Sequence, residues 1–141
     1  MPGPAFAGYP KETVVAEKLE ALVKLRIANT CMKDFYDLEI LSRTFAFEGK
    51  TLAQAIQNSF QKRRTDLPMA GLPVAFTSEF YDDVEEKRQW TAFCARNKSY
   101  VEKAEFKAAI KAIRNFLALP VRTVQEGHSF TKTWKPGGPW R

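Results

Sequence analysis

Tyr9-Pro-Lys-Glu-Thr-Val-Val-Ala-Glu-Lys-Leu-Glu-Ala21 and Met32-Lys-Asp-Phe-Tyr-Asp-Leu38 decide how this chain folds. Both stretches carry helical periodicity, and both place charge on a face that should be buried. With Val14 at 0° on the first helix, Leu25, Lys18, Leu22, Val15 and Leu19 fall between about 20° and about 140°, so Lys18 sits inside the apolar stripe. On the second, Asp34 and Asp37 stack with Leu38, Leu41 and Phe45. Inward charge is costly unless it meets opposite charge or a ligand, so a conflict of this kind points to function. A short connection, Ala28 to Cys31, makes the two helices neighbours. Lysine reaches about one helical turn, so one reading is an ion pair with Asp34 or Asp37 across the interface; the other leaves Lys18 snorkelling at the rim and Asp34 a first-turn acid beside the helix dipole.

Around this pair the chain reads as all-α, an antiparallel bundle of about five helices. Pro10 suits a first helical turn, and the helix it opens runs to about Ile27 with acids early and Lys24 and Arg26 late. The second helix is expected over about Lys33–Phe47. Gly49 reads as a turn glycine with positive φ, and Thr51 with Gln54 as a capping box for a third helix over Leu52–Arg64. Pro68, Gly71 and Pro73 make residues 66–77 an extended connector. Thr77 or Ser78 opens a further stretch to about Ala95, broken near Asp82-Asp83. Another segment starts at Ser99–Val101. Glu102–Leu119 is the last helix, carried by the spacing of Phe106, Ala109, Ile110, Ile113, Phe116 and Leu117 and ended by Pro120. The expected organisation is one helical domain, residues 1–119, made of a three-helix part at 10–65, the connector at 66–77 and the C-terminal helices at 78–119. A flexible, disordered basic tail follows at 120–141, with four basic and one acidic residue.

Composition narrows the function. The 141 residues suit one domain, and no apolar run is long enough to span a membrane. The N-terminus lacks the pattern of a secretion signal, and two cysteines without histidine partners suit a reducing cytoplasm rather than a disulfide or zinc framework. The net charge of +6 is compatible with a nucleic-acid or nucleotide partner. Lys62-Arg63-Arg64 suits the C-terminal end of a helix dipole better than a nucleic-acid patch. His128 stands alone, Trp90 and Phe93 read as core, and Trp134 and Trp140 read as part of the loose tail. P-loop and zinc-hydrolase motifs are absent.

The two charged helices resemble the C-terminal part of the AbiEii/AbiGii-type toxin nucleotidyltransferases. Glu12, Glu17, Lys18 and Ala21 match a Glu-x4-Glu-Lys-x-x-Ala motif, and Lys33-Asp34-Phe35-Tyr36-Asp37-Leu38 a Lys/Arg-Asp-x-x-Asp-Leu motif. The similarity continues through Leu41-Ser42-Arg43 and Phe47 to Leu52, and more loosely to about Leu119. The resemblance implies NTP-dependent, magnesium-assisted nucleotide transfer to RNA by a bacterial toxin of a toxin–antitoxin or phage-defence pair. It implies Lys18, Asp34 and Asp37 as catalytic residues: Lys18 on the nucleotide phosphates, Asp34 orienting it or the nucleophile, and Asp37 in support. Glu17 and Lys33 join Lys18 as nucleotide-binding residues. The family's metal-binding Asp-x-Asp motif is not in this sequence, and adjacent Asp82-Asp83 diverge by about 100° on a helix and do not replace it. The expectation is a helical portion without its own metal site and cofactor, inactive alone, with a separate catalytic half or an antitoxin as partner. The alternatives are a non-catalytic helical interaction module or homodimer, and a basic RNA- or DNA-binding domain.

Overall fold

The computed structural model describes residues 10–25, 32–67, 71, 73–98 and 105–141. The expected Ala28–Cys31 connection, the segment start at Ser99–Val101 and part of the connector lie outside them. The elements in order are α1 (Lys11–Leu25), α2 (Met32–Thr44), β1 (Phe47–Glu48), α3 (Gly49–Lys62), a 3-10 turn (Val74–Phe76), α4 (Ser78–Tyr81), α5 (Val84–Arg96), α6 (Phe106–Glu126) and β2 (Thr133–Trp134). The class is all-α, with one two-stranded ribbon.

α6 is the central element, since its apolar stripe is buried from Phe106 to Val121. α2 and α3 pack on it, and α1 packs mainly on α3. Val15, Ala16, Leu19 and Leu22 supply the inner face of α1, and Leu52, Ile56 and Phe60 that of α3. Two aromatic clusters lie roughly 15 Å apart along α6. At its start, Phe35, Phe80 and Trp90 surround Phe106, with ring centroids 5.1 Å apart for Phe35–Phe80 and 5.4 Å for Trp90–Phe106. Further along, Phe116 meets Phe47 at 5.0 Å, Trp134 at 4.9 Å and Trp140 at 6.1 Å. Trp90 and Phe93 are core, as their spacing predicts.

The C-terminal segment departs most from expectation. Pro120 does not end the last helix, which continues to Glu126 and stops at Gly127 in the left-handed region, φ 72°. A mid-helix proline leaves the carbonyl four residues earlier without its donor. That carbonyl belongs to Phe116, and the Trp140 indole Nε1 donates to it at 2.8 Å. The residues expected as a loose tail do the same at two other helix ends. The Ser42 carbonyl in the last turn of α2 accepts from Trp134 Nε1 at 2.6 Å and from Gly137 N at 2.9 Å. The Gly49 N–H, at the start of α3, donates to the Lys132 carbonyl at 2.7 Å. Helix ends leave such groups without intrahelical partners, and burying them unpaired costs about 1–3 kcal/mol each. Trp134 and Trp140 are themselves buried. The segment is therefore an ordered part of the core, and no disordered tail follows residue 119.

Three smaller corrections share this cause. α2 ends at Thr44 rather than Phe47, because Phe47 and Glu48 pair antiparallel with Trp134 and Thr133. The predicted capping box does not form: Glu48 occupies the N-cap without a side-chain bond, and Gln54 pairs with Asn58 at 2.9 Å. Gly49 is not at positive φ; it is glycine because a Cβ there would stand 2.6 Å from the Lys132 carbonyl and the Phe130 ring. The expected break at Asp82-Asp83 does separate α4 from α5, and Asp83 caps α5 by accepting from Glu86 N at 3.0 Å.

Candidate functional site

α1 presents Lys18 to the first turn of α2. Lys18 Nζ lies 3.2 Å from Asp34 Oδ1 and 2.9 Å from Asp37 Oδ2. Lys33 Nζ reaches the same Asp37 oxygen at 2.7 Å, an i,i+4 pair on α2. Two ammoniums and two carboxylates thus interleave across the two helices. Lys18, Asp34 and Asp37 are each about a fifth exposed, so the cluster is at the rim of the core, within reach of a solute. Burial alone would lower the Lys18 pKa. The hydrogen bond and charge of Asp37, then those of Asp34, outweigh it and hold the ammonium above the ordinary lysine value. Lys18 is a persistent point charge at neutral pH, suited to an anion such as phosphate.

Glu17 is placed apart from this cluster. Its Oε2 accepts from Arg63 Nε at 2.9 Å and Nη2 at 2.5 Å, at the end of α3. Glu17 also lines a groove of about 650 Å³ between α1 and α3, shared with Glu12, Thr13, Gln54, Asn58 and Lys62; Lys18, Asp34 and Asp37 do not line it. Two further residues have no signature in the helical pattern. Glu20 falls outside the apolar stripe, yet it is buried and accepts from Thr65 Oγ1 at 2.5 Å. Arg63 Nε also stands 3.7 Å from Glu20 Oε1. These partners lie more than forty positions away, beyond any spacing rule.

The magnesium that the resemblance implies does not fit these residues. Asp34 and Asp37 are two carboxylates already held by two ammoniums, and among the described residues no group of three or more His, Cys, Asp or Glu is placed to hold a metal. Two-metal transfer needs carboxylates free to bridge two cations. No step through a metal is derived from this cluster.

The chain also resembles a known family along most of its length. A model described as nucleotidyl transferase AbiEii toxin, type IV TA system, matches residues 1–112. The chain belongs to the AbiEii family. No curated protein and no solved structure matches it. The AbiEii match takes in Lys18, Lys33, Asp34 and Asp37 and ends within α6, so Pro120, Trp134 and Trp140 lie beyond it. Among the described residues, no helix is long and apolar enough to cross a membrane.

Proposed function

We propose that the chain is the helical portion of an AbiEii-type nucleotidyltransferase toxin and that its Lys18–Asp34–Asp37 junction is the wall of a nucleotide site. In this reading Lys18 contacts the nucleotide phosphates. Asp34 holds Lys18 or the attacking hydroxyl in line, and Asp37 supports both while drawing Lys33 toward the same anion. The observation that carries the reading is the meeting of the two motif helices: one lysine between two aspartates, pre-positioned and reachable. Glu17, engaged by Arg63, fits a structural role better than a nucleotide contact. Transfer to RNA requires metal-binding carboxylates from outside this sequence, and an antitoxin is the partner that suits a type IV system. Such a protein works in the cytoplasm of a bacterium, where it serves phage defence.

Isothermal titration of the chain with GTP, CTP, ATP and UTP tests the site. Binding of at least one nucleotide, lost in Lys18→Met and weakened in Asp34→Asn, is the expected result. No heat with any of them at millimolar ligand refutes the nucleotide contact. RNA labelling by the purified chain alone would refute the need for outside carboxylates. An apolar interaction module is less well supported: the exposed large apolar side chains among the described residues, Val74, Val84 and Leu119, sit on three different elements.

A further inference from the structure

α1 carries charge at both edges of the arc that Val15, Ala16, Leu19 and Leu22 bury. Taking Lys18 as 0°, buried Leu22, Val15, Leu19 and Ala16 span about 40° to about 160°, Glu20 follows at about 200° and Glu17 at about 260°. Lys18 closes one edge against α2, and Glu20 with Glu17 closes the other against the end of α3. The turn that meets the two glutamates is itself unusual. Arg64 has φ 54°, a left-handed conformation sparsely populated by non-glycine residues. The Thr65 N–H closes that turn onto the Phe60 carbonyl at 2.9 Å. This reversal directs Arg63 onto Glu17 and brings the Thr65 hydroxyl to buried Glu20. A buried carboxylate deprived of a donor drives local rearrangement.

We infer that Arg63 and Thr65 form a positioning latch that sets the rotation of α1 and thereby keeps Lys18 on Asp34 and Asp37. The geometry is demanding. A helix rotation of about 20° moves a point at the side-chain radius of about 5–6 Å by roughly 2 Å, enough to break contacts of 2.9 and 3.2 Å. The latch touches no reacting atom and acts only through α1. Its functional importance rests on the reading of Lys18 as a phosphate contact; its physical existence does not.

The test is reductive methylation of the full chain with formaldehyde and cyanoborohydride across alkaline pH, with modification of Lys18 read by peptide mass spectrometry against exposed Lys50. Circular dichroism confirms folding of each variant. Arg63→Ala and Thr65→Val are expected to raise relative Lys18 modification by about threefold, because an ammonium moved off Asp37 and Asp34 loses what holds its pKa up and exposes more free amine. Thr65→Ser, which keeps the hydroxyl, should match the parent chain. Unchanged Lys18 modification in Arg63→Ala overturns the latch, and this change at an exposed side chain leaves Thr65 on Glu20 and can be read even if Thr65→Val fails to fold. Thr65→Ser behaving like Thr65→Val overturns the hydroxyl's part. No nucleotide enters this measurement, so the latch can stand where nucleotide titration fails, and fail where titration succeeds.

Discussion

At Lys18 three influences compete, and their order sets a pH dependence. Desolvation works against the charge; Asp37 and then Asp34 work for it and prevail. A lysine whose folded pKa lies above its ordinary 10.5 contributes stability that is complete below that pH and is lost as pH rises through the folded value. Urea denaturation should therefore show Lys18→Met less stable than the parent by about 1 kcal/mol at neutral pH, with the gap closing in the alkaline range above 10.5. Glu86 is the opposite case. Burial, then the charges of Asp83 and Glu85, raise its carboxyl pKa, and its buried Oε1 has no hydrogen-bond partner among the described residues. A carboxyl raised on folding stabilises most below its ordinary 4.5, and that stability is lost as pH rises through the folded value. Glu86→Met is predicted to gain about 1 kcal/mol at neutral pH, by removing a buried carboxylate with an unsatisfied oxygen. The gain should shrink toward pH 4.5, and a loss of stability at pH 7 in thermal melts would refute it. Lys18 and its two aspartates were legible in the sequence because inward charge violates a helical pattern. Glu20 was not: it lies off the stripe, and Thr65 and Arg63, brought in from the end of α3, cover it.

Among the elements, α6 and the ribbon depend on each other. Pro120 removes the donor that Phe116 needs, and Trp140 replaces it. Trp140→Phe keeps most of the apolar bulk but orphans that carbonyl, at an expected cost of about 1–3 kcal/mol. Pro120→Ala restores the helix's own N–H, so in that background the same Trp140→Phe change should cost clearly less. A double-mutant cycle by denaturant unfolding measures the coupling, and strict additivity would show that Trp140 does not substitute for the missing donor. Gly138→Ala tests the other side of the ribbon. Its Cβ would fall 2.4 Å from the Trp134 ring at a φ of 79°, so a loss of about 2–4 kcal/mol is expected. The core helices α1 and α6 were legible because their apolar spacing marks them, whereas α3 was placed through a capping box that does not form. The ends of α2 and α6 were not, because proline rules and local caps are overridden by partners from the C-terminal segment.

For the whole molecule, the unit that matches the AbiEii family and the unit that folds do not coincide. The match ends at residue 112, whereas Phe116, Trp134 and Trp140 complete the second aromatic cluster and the C-terminal segment closes three buried backbone gaps. A fragment of residues 1–126 is predicted to keep much of its far-ultraviolet helical signal but to lose cooperative thermal unfolding, and a sharp two-state melt matching the full chain would contradict this. The sequence by itself determined the helical class and the two charged motifs, because periodicity and local charge are written within one or two turns of chain; that Lys18 meets Asp34 and Asp37 across two helices is a tertiary outcome. Only the tertiary structure decided that the proline- and glycine-rich end is core, that Glu17 and Glu20 answer to Arg63 and Thr65, and that α2 stops early. Those outcomes turn on single hydrogen bonds between residues far apart in the chain, and a buried backbone group takes whichever donor the packing brings to it.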